Sequence, residues 1–162
     1  LARDEVVANM HRLGARGLTY DLLTLAHQLP AAIDAVRACP ETQFVLDHIS
    51  KPNIADGDID QWTQDIQTLA TLPNVVVKVS GMVTEAQWDN WTPETFRPYV
   101  DVLAESFGPE RLMFGSDWPV CLLAAEYKKV LQLVQDFTAN LSKEEQTRIF
   151  GANACEIYNL TI

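Results

Sequence analysis

The sequence is poor in the features that would assign it to several common classes of protein. It holds only three cysteines (Cys39, Cys121 and Cys155), widely spaced and without a CxxC pair, which excludes a disulfide framework and a zinc knuckle. Twelve Lys and Arg stand against 22 Asp and Glu, a formal net charge of −10 that repels phosphate backbones and anionic lipid. No apolar run approaches the roughly 18 residues that a membrane helix needs. We therefore expect neither nucleic acid nor a membrane as partner, and a reducing, cytoplasmic location.

Several catalytic motifs are also missing. The sequence contains no GxGxxG, no P-loop and no GxSxG, which removes the main support for nucleotide binding and for a serine hydrolase. It has no HxH and no HExxH, and His11 and His27 are isolated, so we interpret both as surface residues. The first residue is Leu rather than Met and no signal peptide follows, so we expect a processed or shortened chain.

The residues that are present alternate between two patterns. With 162 residues, of which 48% are apolar and 21% charged, the chain has the composition of one globular domain. Four apolar segments, each followed by a helical pattern, predict a parallel sheet covered by helices. The predicted strands are 17–23, 43–48, 74–80 and 111–116, and the predicted helices are 26–38, 61–72, 93–107 and 125–137, with a capping box at Ser142 and Glu145. An open doubly wound sheet and part of a (β/α)₈ barrel both fit this order, and a complete barrel needs about 250 residues.

In both architectures ligands bind at the carboxyl ends of the strands. The second predicted strand ends in Asp47 and His48. A histidine there can bind a metal or carry a proton near neutral pH, or it can simply bond to the backbone. Because side chains alternate along a strand, we expect only one of these two residues to face a site.

The other strands carry further candidate residues. Lys78 lies inside an apolar strand, where a buried ammonium is costly unless it is paired, so it predicts a carboxylate partner or an anionic ligand. Asp117 follows the fourth strand and can ligate a metal, act as a general base, or only cap a turn. Asp21, at the end of the first strand, can contact substrate, although hydrogen bonding within a turn is the favoured alternative.

Three segments together carry a resemblance: FVLDHISKP at 44–52, VVVKVSG at 75–81 and RLMFGSDWPV at 111–120. In this order they resemble the metal-dependent hydrolases of the amidohydrolase superfamily, in the branch of sugar lactonases and 2-pyrone-4,6-dicarboxylate lactonase. The closing stretch IFGANACEIYNL at 149–160 is similar to the terminal helix of these proteins. The resemblance implies that residues 1–162 form a single domain. That domain would be roughly the C-terminal half of a (β/α)₈ barrel, with about four βα units and terminal helices.

The same resemblance implies a set of site residues. In the family an HxH pair joins a later histidine and a last-strand aspartate, which match His48 and Asp117. The HxH pair has no counterpart in these 162 residues. His48 and Asp117 are therefore expected to be catalytic, and to bind a divalent metal, zinc in the first place, on condition that the HxH pair is supplied.

The implied activity is hydrolysis of a sugar-acid or related lactone. Asp117 would take the proton of the attacking water, while His48, a metal or Lys78 would stabilise the oxyanion. Lys78, Asp21 and Trp118 are expected to bind the substrate. Two alternatives stay open: a decarboxylase of the same superfamily, and a truncated, non-catalytic half-barrel. Such a half-barrel would act by assembly, as a homo-oligomer or with its missing half, because open sheet edges favour pairing.

Overall fold

The protein is built on a four-stranded parallel sheet with the strand order β1-β2-β3-β4. The computed structural model describes Leu1 and residues 3–161. The strands are β1 (Tyr20–Leu22), β2 (Phe44–Leu46), β3 (Val75–Val79) and β4 (Leu112–Phe114). The helices are α1 (Asp4–Gly14), α2 (Leu29–Ala38), α3 (Asp60–Ala70), α4 (Met82–Glu85), α5 (Pro93–Phe107), α6 (Tyr127–Phe137), α7 (Lys143–Thr147) and α8 (Asn153–Ile157). A π-helical turn, Arg148–Ala152, joins α7 to α8.

Strands that follow one another in the chain are neighbours in the sheet. Phe44 of β2 lies between Tyr20 of β1 and Val75 of β3, and Val77 pairs with Leu112 of β4. The strand order therefore never reverses within the described residues. A doubly wound sheet reverses at a switch point, whereas a barrel winds in one direction, so the order is that of a barrel segment.

The sheet is covered on both faces, as parallel strands require. One face carries the main core under the helices, and its fully buried strand residues include Phe44, Leu46, Val75 and Val77. The other face carries a small cluster of Val45, Val76 and Met113, against which Ala154, Ile157 and Tyr158 of the C-terminal segment pack.

The C-terminal segment is fixed at the amino ends of the strands. The Thr19 hydroxyl, just before β1, donates to the carbonyl of Ile157 at 2.8 Å. Asn153 donates to the carbonyl of Leu112, at the start of β4, also at 2.8 Å. None of the helices among Leu1 and residues 3–161 is long and apolar enough to cross a bilayer.

The predicted elements are largely confirmed, with shorter ends. All four strands and the four long helices between 26 and 137 are present, although the second strand ends at Leu46 rather than His48. The capping box is present, since the Ser142 N–H donates to Glu145 Oε2 at 2.7 Å. Helices α1 and α4 were not predicted: α1 precedes the first predicted strand, and the four residues of α4 lie between the third predicted strand and the helix predicted from residue 93.

Candidate active site

The backbone after β2 turns left-handed for four residues in succession. His48, Ile49, Ser50 and Lys51 have φ values of 49°, 46°, 60° and 47°. Such conformations cost about 1–3 kcal/mol each for residues other than glycine, and they concentrate at functional sites. The strand has already ended at Leu46, so the alternation of side chains does not extend to Asp47 and His48. The expectation that only one of them faces the site is therefore wrong.

Asp47, His48 and Asp117 meet at the carboxyl ends of β2 and β4. His48 Nε2 lies 3.4 Å from Asp47 Oδ2 and 3.6 Å from Asp117 Oδ1. The Asp117 side chain is 9% exposed and its backbone is also left-handed, with φ 56°. One oxygen of each carboxylate, Asp47 Oδ1 and Asp117 Oδ2, is buried without a hydrogen-bond partner. Asp47 Oδ1 faces the Lys78 ammonium at 3.4 Å, so Asp117 Oδ2 is the acceptor that stays unsatisfied among the described residues.

The opposite edge of the His48 ring contacts Ser80, directly after β3. His48 Nδ1 and Ser80 Oγ are 2.8 Å apart, and Ser80 is 2% exposed. Ser80 is absent from the residues predicted for the site. Its place at a strand end, beside Gly81, is the signal that could have found it.

Lys78 of β3 is paired, as its burial predicted. Its Nζ lies 2.7 Å from Asp21 Oδ2 and 3.4 Å from Asp47 Oδ1. The Tyr158 hydroxyl donates to Asp21 at 2.8 Å, so Tyr158, Asp21, Lys78 and Asp47 form one connected network. Burial opposes the charge of Lys78, but hydrogen bonds to Asp21 and Tyr158 and the charge of Asp47 outweigh it and raise the pKa of Lys78. Burial also raises the pKa of Tyr158 to about 12.

The fold thus brings together four of the five predicted site residues. His48, Asp117, Lys78 and Asp21 belong to one chain of contacts that runs through Asp47. Trp118, the fifth, is 63% exposed and adjoins Asp117 in the chain. His11 and His27 are exposed, as expected.

The residues at hand fit part of a metal site. His48 offers a ring nitrogen, and Asp117 offers Oδ2, which makes no hydrogen bond within the described residues. Zinc takes three or four protein ligands. Within Leu1 and residues 3–161, no three or more His, Cys, Asp or Glu side chains are arranged to hold a metal ion. Alone, these two residues would supply only part of the coordination shell that zinc requires.

Comparison with known proteins identifies the family. Residues 2–160 match the family described as Amidohydrolase. The chain belongs to this family. It is 40% identical to an L-fucono-1,5-lactonase of Burkholderia multivorans, over 91% of this chain and 53% of that protein. It is 26% identical to an L-rhamnono-gamma-lactonase of Scheffersomyces stipitis, over 82% of this chain and 45% of that protein.

A solved structure shows the same fold. The crystal structure of an amidohydrolase from Burkholderia multivorans with bound zinc superimposes with a TM-score of 0.95 at 37% identity. The match covers 98% of this chain and 58% of that one. The chain spans about half the length of the curated relatives that it matches. Its four βα units are part of an amidohydrolase (β/α)₈ barrel, which confirms the expected fold.

Proposed function

We propose that the protein hydrolyses the lactone of a sugar acid, with Asp117 as general base. Two relatives named as lactonases of sugar acids support the substrate class. The observation that carries the proposal is the Asp117 carboxylate. One of its oxygens lies 3.6 Å from His48 Nε2, and the other is buried with no hydrogen-bond donor.

The reaction follows from that carboxylate. Asp117 accepts a proton from a water molecule, and the water oxygen attacks the carbonyl carbon of the lactone. The carbonyl oxygen takes up the negative charge. When the intermediate collapses, the ring C–O bond breaks, and the ring oxygen leaves with the proton that Asp117 returns. The product is the open hydroxy acid.

Cationic and hydrogen-bonding groups surround this centre. We assign oxyanion stabilisation to the Lys78 ammonium, which lies 3.4 Å from Asp47, the neighbour of His48. His48 can also stabilise the oxyanion through Nε2. We assign substrate binding to Lys78 and Asp21, and to the exposed indole of Trp118 at the rim, which presents a flat face to a sugar ring.

The zinc bound to the similar crystal structure suggests a cation for this site as well. In this chain His48 and Asp117 would hold it, together with further ligands. A bound divalent cation would polarise the lactone carbonyl.

The test is turnover of L-fucono-1,5-lactone by the protein that carries this chain, followed as acid release. We expect Asp117→Asn to lower kcat at least about a hundredfold, because the base is lost. Asp101→Asn, on the exposed side of α5, is the matched control and should retain full activity. Unchanged turnover by Asp117→Asn would reject the general base. Release of carbon dioxide from an acid, without lactone opening, would favour the decarboxylase, and an inactive wild type would favour the non-catalytic half-barrel.

A further inference from the structure

We propose that Ser80 is a positioning residue that holds the imidazole of His48 with Nε2 directed at the carboxylates of Asp47 and Asp117. Ser80 is 2% exposed, and its Oγ lies 2.8 Å from His48 Nδ1. On the far edge of the ring, Nε2 lies 3.4 Å from Asp47 Oδ2 and 3.6 Å from Asp117 Oδ1. Because the two nitrogens occupy different edges of one rigid ring, a bond at Nδ1 decides where Nε2 points.

Two glycines close the backbone around this pair. A Cβ on Gly115 would lie 2.8 Å from Ser80 Cβ and 3.2 Å from its Oγ. A Cβ on Gly81 would lie 2.7 Å from His48 Cβ and 2.9 Å from Cγ, and Gly81 also has φ +69°. Any larger residue at either position would displace the serine or the ring. The contact between Ser80 and His48 therefore depends on glycine at positions 81 and 115, directly after two neighbouring strands.

The chemistry of the hydroxyl suits this role. A carbonyl or carboxylate can only accept a hydrogen bond, whereas a serine hydroxyl can donate or accept. Ser80 can therefore keep its contact whether or not Nδ1 carries a proton. The orientation of the ring is then the same in either tautomer of His48, so Nε2 can serve as donor or as acceptor without moving. Partners that orient a histidine in this way typically contribute 10- to 100-fold to activity or metal affinity.

Ser50 offers a matched control within the same turn. Its hydroxyl is also buried, at 0% exposure, but it bonds to Thr24 Oγ1 at 2.7 Å. Ser50→Ala thus removes the same chemical group two residues from His48 and leaves the bond between Ser80 and Nδ1 in place. A purely structural effect of a lost buried hydroxyl would appear in both variants.

The decisive measurement is NMR of the imidazole nitrogens in protein labelled with ¹⁵N-histidine. The chain has three histidines, and the exposed His11 and His27 serve as internal references. In the wild type we expect His48 ring signals distinct from both. In Ser80→Ala they should move toward the reference signals, and in Ser50→Ala they should stay. Unmoved His48 signals in Ser80→Ala would overturn the proposal.

Gly115→Ala provides a second route if Ser80→Ala does not fold. It keeps the hydroxyl but displaces Ser80, so the His48 signals should again move toward the reference signals. Signals that stay at their wild-type positions in this variant would equally overturn the proposal.

The catalytic consequence rests on the proposed function and has its own measurement. We expect Ser80→Ala to lower kcat by about 10- to 100-fold with a smaller change in KM, since the misplaced ring affects the reaction more than binding. Full activity in Ser80→Ala would reject this role. If the wild type opens no lactone, the proposed function fails, while the NMR experiment still decides whether Ser80 positions His48.

Discussion

Polar side chains have opposite roles at the two ends of the sheet. At the amino ends of the strands, Asn74 donates to the carbonyls of residues 36, 39 and 42, and Asn153 donates to those of residues 109 and 112. Arg111 donates to the carbonyls of residues 70, 72, 106 and 107. These donors satisfy backbone groups that the short connections leave without partners.

At the carboxyl ends of the strands, the side chains are carboxylate acceptors rather than donors. Asp47 and Asp117 each keep one buried oxygen that makes no hydrogen bond within the described residues, and both carboxylates face the same imidazole. The backbone is left-handed from His48 to Lys51 and again at Asp117. Side chains at the amino ends thus stabilise the fold, while those at the carboxyl ends are held in an arrangement that costs stability. This division agrees with the placement of active sites in barrels.

The largest loss of stability should come from the amino end. Arg111→Met removes the donors of four carbonyl contacts, and we expect the free energy of unfolding to fall by about 3 kcal/mol. Urea denaturation measures this value. Arg16→Met, at an exposed arginine, should change it by less than about 0.5 kcal/mol. Equal effects of the two substitutions would show that the contacts of Arg111 at the amino ends do not stabilise the fold.

An intermediate effect should come from the network inside the barrel, and it depends on pH. Burial, together with Asp21, raises the pKa of Tyr158 to about 12, so folding favours the protonated phenol. The stabilisation is complete below the ordinary pKa near 10 and is lost as pH rises through 12.

We therefore expect wild-type stability to fall between about pH 9 and 11 by roughly 1 kcal/mol more than that of Tyr158→Phe, after allowance for solvent screening. Tyr127→Phe, at a tyrosine that is 43% exposed, is the control and should follow the wild type. Parallel pH profiles for the wild type and Tyr158→Phe would show that the network contributes no pH-dependent stability.

The smallest change in stability should come from the carboxyl end. Asp117→Asn removes the charge of a carboxylate whose Oδ2 makes no hydrogen bond within the described residues. We therefore expect the free energy of unfolding to change by less than about 1 kcal/mol. The same substitution should have the largest effect on activity. A loss of 3 kcal/mol in urea denaturation would mean that the carboxyl end also supports the fold.

The sequence predicted the sheet well because its strands are unambiguous. The apolar runs around Phe44 and Val75 are typical of strands that are buried on both faces of a parallel sheet. Helix α1 was not predicted, although one face of it carries the buried Met10. Helix α1 is stabilised by the packing of its apolar face against the rest of the fold, which the sequence of this segment alone does not show.

Within the site, the sequence indicated single candidate residues better than it indicated which of them contact each other. Lys78 in an apolar strand required a partner, but Asp21 lies 57 residues away in the chain. Ser80 gave a weaker signal, since a serine at a strand end is common. The roles of His48, Asp117, Lys78, Asp21 and Trp118 in catalysis or substrate binding, and the binding of zinc, stay predictions.

The amino-acid sequence by itself determined the order of the four strands and of the four long helices between 26 and 137, and the residues at the strand ends. That order follows from periodicity, while the barrel family follows from the resemblance of local motifs to known proteins. Only the tertiary structure decided that Asp47 and His48 face the same point, because four left-handed residues end the strand alternation there. It alone also placed Tyr158 against Asp21 and Ser80 against His48. Contacts between distant segments depend on how the whole sheet packs, and no local pattern encodes them.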